Sequence, residues 1–262
     1  MTTVQKYALM LEYEGTHYHG WQRQPDEITV QETIEEKLAQ IIGQKITIHG
    51  ACRTDAGVHA LAQVAHFEAR LKRPLSQLWR GINALLPPDI SAIELLPVPE
   101  DFHARYDSYQ KTYQYRILNS KIEHPISRRF CYWEKNNLNV SAMRAACQTI
   151  IGTHDFSAFR AASCNAHSPI RTINSATIES RDQIITFTIS GNGFLQYMVR
   201  IMIGTLIDIG RGYRPLSDFE AILSSRDRQQ AGFTAPGHGL TLTNLEVHKI
   251  QFSQGPRNVF LF

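Results

Sequence analysis

The sequence has little cysteine, four residues in 262, and none of Cys52, Cys131, Cys147 and Cys164 stands in a CxxC spacing. This argues against disulfides and against a zinc site. With no apolar signal segment at the N-terminus, it points to free thiols in a reducing, cytoplasmic compartment. Long hydrophobic runs are also lacking. The longest, residues 194–209, is too short to span a bilayer comfortably and contains Gln196 and Arg200, so it reads as a buried helix and not a membrane segment. A strong excess of one charge is absent too. The 27 basic and 24 acidic residues leave a net charge of +3. That is compatible with an anionic partner but does not identify one, because a nucleic-acid surface depends on where cations cluster. What remains is a core-forming composition, 43% hydrophobic and 19% charged, in a chain long enough for one large domain or two of ordinary size.

The densest chemistry lies in residues 50–60, a glycine-bounded loop between two apolar, strand-like runs at 46–49 and 63–67. Arg53, Asp55 and His59 place a guanidinium, a carboxylate and an imidazole within seven residues. Loops held by a rigid sheet are frequent sites of chemistry, and a carboxylate two residues from an arginine can be kept ionised by it, as a nucleophile or base requires. The plainer reading is an Arg–Asp pair that only orders a turn. His59 has no second and third ligand at a recognised metal spacing, so it reads as a structural hydrogen-bonding residue.

Periodicity organises the rest. Residues 7–13 form a strand. Thr29 and Glu32 make a capping box before Val30, Ile34, Leu38 and Ile41, which repeat at helical spacing until Gly43. Strands are predicted at 46–49 and 63–68, then a helix carrying Leu75, Leu78, Ile82 and Leu85 that Pro87 and Pro88 end, then a strand at 90–98. The order β-α-β-β-α-β is the ferredoxin-like pattern. It recurs with a strand at 112–118, a helix at 140–151 closed by Gly152, and a hairpin of 171–179 with 184–190. The apolar helix from Phe194, a short helix capped by Ser217 and Glu220, and a strand at 240–247 complete the repeat. The expected fold is therefore α+β, with two ferredoxin-like halves at 1–107 and 108–262. Together they would form one mixed or antiparallel central sheet with helices on one face and a cleft on the other. Long connections at 14–29, 119–138 and 153–170 are candidates for function.

The string Arg53-Thr54-Asp55-Ala56-Gly57-Val58-His59-Ala60 resembles the catalytic motif of the TruA family of tRNA pseudouridine synthases. The resemblance continues in order through Gly20-Trp21-Gln22-Arg23-Gln24, Phe102-His103-Ala104-Arg105, Lys111-Thr112-Tyr113-Gln114-Tyr115, Asp155-Phe156-Ser157-Ala158-Phe159-Arg160, Gln196-Tyr197-Met198-Val199-Arg200 and Gly237-His238-Gly239-Leu240. One departure stands out: Cys52 occupies a position where the family usually has glycine, which adds bulk beside the loop and disfavours a positive φ.

The resemblance implies isomerisation of uridine to pseudouridine at positions 38, 39 and 40 of the tRNA anticodon arm, after the target base is flipped out. It implies no metal and no cofactor, a homodimer, and a cytoplasmic enzyme that acts away from membranes. Asp55 is assigned as nucleophile; attack on the sugar, attack on the base and removal of a ribose proton all stay open. Arg53 is assigned to pair with Asp55 in the empty site and then to turn to a phosphate or to the gap left by the base. Tyr113 is the active-site tyrosine, able to stack on uracil, and Tyr115 on the same strand face is a core residue by periodicity. Arg200, a charge in an apolar helix, needs a carboxylate partner or a cleft, and in the family pairs with the catalytic aspartate. Leu240 packs against the target base. Candidate RNA contacts are Gln22, Arg23, Arg105, Lys111, Arg160, His167 and Arg171, which would position RNA without reading its sequence. Trp21 reads as a buried anchor. Two rival classes are a non-catalytic RNA-binding protein and a glycosidase-like hydrolase. The presence of Asp55 and Tyr113 disfavours the first. The lack of a second carboxylate in the motif disfavours the second.

Overall fold

A computed structural model describes residues 3–253 and divides the chain into two compact units. Residues up to Tyr109, with those from Leu242 on, form the first, and Gln110–Thr241 the second. The fold is α+β, and each unit has its own set of antiparallel strands.

The first unit runs β1 (Gln5–Tyr13), α1 (Val30–Ile42), β2 (His49–Gly50), β3 (His59–Ala69), α2 (Leu75–Leu85) and β4 (Ile90–Pro97). Its strands lie in the order β4-β1-β3, with β2 beside β3 and every pairing antiparallel. This is the ferredoxin-like arrangement expected from the element order. The Thr29 side chain accepts the Glu32 amide at 3.4 Å, and Gly43 closes α1 in the left-handed region at φ 76°, a conformation that costs glycine little. Ile34 and Leu38 carry the helix's buried stripe.

Of the strand predicted at 46–49 only His49 lies in β2, and side chains of α1 are the reason. The Ile48 amide donates to Glu35 Oε1 at 2.9 Å and its carbonyl accepts Gln31 Nε2 at 3.2 Å, so two side chains replace a ladder partner. Conversely, β3 begins at His59, four residues before the predicted start.

The second unit contains β5 (Ser108–Asn119, entering from the first), β6 (Tyr132–Glu134), α3 (Val140–Cys147), β7 (Gly152–Asp155), β8 (Ile170–Arg181), β9 (Ile184–Gly191), α4 (Met198–Gly210) and α5 (Asp218–Ser225). β10 (Leu240–Val247) then leads out of it. Strand order is β5-β9-β8-β7, antiparallel throughout, with the short β6 parallel to β5. β5, β8 and β9 thus repeat the relation of β1, β2 and β3. The strands β6 and β7 fall at segments read as connections; three or four residues are too few to show a period. Buried Glu134 of β6 pairs with Arg211 beyond the end of α4.

Three further details differ from expectation. The helix predicted at 140–151 ends at Cys147 and continues only as a 3-10 turn, and Gly152 opens β7 where it was expected to close the helix. The apolar helix starts at Met198 and not Phe194, because Tyr197 takes a left-handed conformation at φ 62° that a helix cannot pass through. Ser217 gives α5 no side-chain cap; its own backbone is already helical.

The segment after α5 is held against α4. Gly232 N donates to Thr205 Oγ1 at 2.9 Å, Ala235 N donates to the Arg200 carbonyl at 3.1 Å, and a Cβ on Gly204 would lie 1.8 Å from the Phe233 carbonyl oxygen. Only glycine permits that approach. Gly204→Ala is expected to lower stability by about 1–3 kcal/mol through overpacking, measured as a shift in the urea unfolding midpoint.

Candidate active site

The site loop of the first unit is residues 51–58, between β2 and β3. It leaves the sheet in a defined way. Ala51 N still donates to Val64 O at 2.8 Å, as a ladder residue would. At Cys52 the ladder is replaced by the side chain of Gln63, whose Oε1 accepts Cys52 N at 3.1 Å and whose Nε2 donates to Cys52 O at 2.8 Å. The amide imitates a strand neighbour, and the backbone beyond it is released from the sheet. Gln63 is fully buried, and in its strand it interrupts a run of buried apolar residues. A buried polar side chain of this kind is retained only when its hydrogen bonds are made.

Further anchors follow. Thr54 is buried, its Oγ1 is 2.7 Å from the Tyr13 hydroxyl, and its carbonyl accepts Trp21 N at 3.0 Å. Burial raises the Tyr13 pKa, so the phenol stays a neutral hydrogen-bonding group. Val58 N closes a turn onto the Asp55 carbonyl at 3.1 Å, and Gly57 N reaches the Tyr18 carbonyl at 3.2 Å. His59 accepts Gly15 N through Nδ1 at 3.0 Å, the structural role read from the sequence. Two glycines make the close approach possible: a Cβ on Gly15 would lie 2.1 Å from Val58 O, and Gly20, at φ +90°, would place one 2.6 Å from Thr54 O. Cys52 is not among the residues at positive φ, so its side chain imposes no backbone strain there. Asp55 emerges half-buried and Arg53 exposed on this clamped backbone. The Arg53 pKa is lowered by desolvation and then by the like charge of Arg105.

A stack of imidazoles stands at the root of the loop. His49 of β2 stacks on His66 of β3 at 5.0 Å, and His103 meets His66 edge-on at 4.6 Å. His66 Nδ1 accepts Ala104 N at 3.2 Å. Desolvation, then the neighbouring His103, His49 and Lys6, push the His66 pKa down to about 4. Among the described residues, no group of three or more His, Cys, Asp or Glu is arranged to hold a metal.

In the second unit, Tyr113 and Tyr115 project from the same face of β5. Tyr113 is buried and meets Phe194 edge-on at 5.3 Å. Tyr115 is fully buried, and its hydroxyl donates to the Pro236 carbonyl at 3.0 Å. Arg200, in the first turn of α4, donates through Nε to the adjacent Ala235 carbonyl at 2.7 Å and lies 4.7 Å over the Tyr197 ring. Tyr115 and Arg200 therefore grip neighbouring carbonyls of the segment that runs into buried Leu240. The structure brings together Tyr115, Arg200 and the approach to Leu240, with Tyr113 two residues along the same strand.

The RNA-contact candidates differ in setting. Gln22, Arg105 and His167 are exposed, while Lys111 and Arg160 are half-buried. Arg23 is exposed but sits 3.0 Å from Glu35 and 3.5 Å from Glu32. Arg171 spends Nη1 on the Ser168 and Ile170 carbonyls at 2.9 and 2.6 Å. Sequence reasoning missed Gln63, Tyr13 and the imidazole stack as site components. The readable signal was polar Gln63 and His66 inside an otherwise apolar strand.

The chain matches the family described as tRNA pseudouridine synthase over residues 9–107 and 146–246. It is similar to the tRNA pseudouridine synthase A of Thermoanaerobacter sp., with 43% identity over 242 residues, 92% of this chain and 99% of that protein. The protein of that name from Citrifermentans bemidjiense is 44% identical over 240 residues, 91% of this chain and 96% of its own. Its counterpart in Francisella tularensis subsp. holarctica is 38% identical over 251 residues, covering 96% and 97%.

Gln63→Leu is expected to strand both backbone groups of Cys52 and to cost about 2–4 kcal/mol of stability by urea unfolding. A second expectation concerns pH. A histidine whose folded pKa lies below its unfolded value of 6.5 stabilises the protein above that pH, and the contribution is lost as pH falls toward the folded value of about 4. Unfolding free energy should therefore decline between pH 6.5 and 4, and less steeply in His66→Asn, which keeps an acceptor for Ala104 N.

Proposed function

Since this chain belongs to the tRNA pseudouridine synthase family, whose members isomerise uridine to pseudouridine in tRNA, we propose that Asp55 is its nucleophile and the anticodon arm, positions 38 to 40, its target. The observation that carries the assignment is the clamped loop: Asp55 is half-exposed on a backbone fixed on both sides by Gln63, Tyr13, Trp21 and Tyr18. A reacting carboxylate needs that preorganisation, because a small displacement of a positioned group is costly in rate.

In the reaction the C1′–N1 bond breaks, the uracil turns, and C1′ bonds to C5. The hydrogen on C5 is given up and N1 gains one, so the RNA keeps its mass and no electrons are exchanged. In this reading Arg53, Tyr113 and Arg200 are the other catalytic residues. Tyr113 and Leu240 bind the substrate base, Tyr113 by stacking. Gln22, Arg23, Arg105, Lys111, Arg160, His167 and Arg171 contact the tRNA. Arg23 and Arg171 must first leave the partners they hold, so Arg105 is the readiest phosphate contact. The enzyme acts in the cytoplasm as a homodimer. Among the described residues no helix is long and apolar enough to cross a membrane.

The test is tritium release from an unmodified tRNA transcript labelled at uridine C5. The wild-type protein should release tritium to water without added metal or cofactor. Asp55→Ala and Asp55→Asn should be slower by roughly a thousandfold or more, the scale of a lost catalytic group. Equal release from all three would remove Asp55 from the centre of the reaction, and release of free uracil would identify a hydrolase.

A further inference from the structure

Tyr106 is 79% exposed, although the turn that carries it is held by several hydrogen bonds. Phe102 and Ala104 are fully buried beneath it. The Asp107 carboxylate accepts His103 N at 2.7 Å, while Tyr106 N and Asp107 N donate back to the His103 carbonyl at 3.0 and 2.9 Å. Lys249 Nζ lies 3.1 Å from the same carboxylate. The backbone under the tyrosine is thus fixed at both ends, and the ring itself is supported. It rests on His103 at 4.3 Å with 36° between the planes, and His103 in turn meets His66, which stacks on His49. A ladder of rings leads from the buried strand β3 out to an exposed phenol.

The surroundings of that phenol are cationic. Arg105 precedes it and is exposed, and Arg53 is close enough to feel both Arg105 and Tyr106. The connection to the Asp55 loop is direct, because Ala104 N is held by His66 and His66 pairs with His49, one residue before β2 runs into that loop. A protein partner would be better served by an apolar rim. A rigid, open aromatic ring beside guanidiniums is what a single-stranded nucleic acid requires: the ring takes a base face, and the cations take the flanking phosphates.

We propose that Tyr106 is a stacking platform for an unpaired base of the bound RNA, with Arg105 holding an adjacent phosphate. The proposal deepens the reading of this chain as a tRNA-modifying enzyme and rests on it. The ladder gives the platform its stiffness, so little ring mobility is lost when a base lands on it.

The experiment measures binding of the full-length protein to an unmodified tRNA transcript by fluorescence anisotropy, for the wild type, Tyr106→Ala, Tyr106→Phe and Arg105→Gln. Loss of one stacked base should raise Kd about tenfold in Tyr106→Ala, with Tyr106→Phe staying within about twofold of wild type. The slope of log Kd against log salt should be unchanged in Tyr106→Ala, because stacking neutralises no phosphate, and shallower by about 0.7 in Arg105→Gln. Equal losses in the alanine and phenylalanine variants would replace stacking by a hydroxyl hydrogen bond and overturn the proposal. Wild-type affinity in Tyr106→Ala would overturn it too, as would a loss of self-association in that variant by sedimentation, which would make the ring a protein contact. These ratios can be read whether or not turnover occurs. Failure of the isomerase reading shows separately, as absent tritium release from the wild type.

Discussion

One side-chain amide shapes the Asp55 loop. A backbone that departs from a β-ladder leaves an amide and a carbonyl without partners, and in a buried setting each is expensive. Gln63 meets both groups of Cys52 from within the adjacent strand, so the chain can leave the sheet without a desolvation penalty. Everything downstream inherits that exit geometry: Thr54 turns inward to the Tyr13 hydroxyl, Asp55 turns outward, and Val58 brings the chain back to β3. The loop owes its rigidity to polar groups in a dry environment, where hydrogen bonds are strong and errors costly.

The second unit solves a related problem for a cation. Arg200 is half-buried in the first turn of an otherwise apolar helix, a setting in which polar partners offset the water it loses. Its Nε finds the Ala235 carbonyl, its guanidinium lies over Tyr197, and the glycine at 204 lets the 231–235 segment come close enough to supply that carbonyl. The left-handed turn at Tyr197, which shortens the helix, also brings that ring beneath the arginine. A local departure from regular helix and the placement of the Arg200 charge are here one event.

Much of this was legible in the sequence. The capping box at Thr29, the stop at Gly43, the stripe of α2, the hairpin of β8 and β9 and the repeated ferredoxin-like order all rest on local rules that the structure obeys. What was not legible depended on distant partners. Residues 46–48 look like a strand, and only Glu35 and Gln31, more than a dozen residues away, decide otherwise. The start of β3 was hidden because a motif rich in Gly, Asp and His reads as loop, although His59 is already a buried strand residue. Net charge said little about RNA contacts for the same reason: Arg23 and Arg171 count fully in the total, yet each is already engaged by carboxylates or carbonyls of its own surroundings.

The division of the chain has a consequence for how it is made. The second unit, Gln110–Thr241, is continuous in sequence, whereas the first draws on residues up to Tyr109 and again from Leu242 on. During synthesis the amino-terminal part is made first but lacks its returning segment until Leu242 and the residues that follow it have been added. The later-made unit is therefore the first that can be complete, and the Asp55 loop, although encoded early, belongs to the unit finished last.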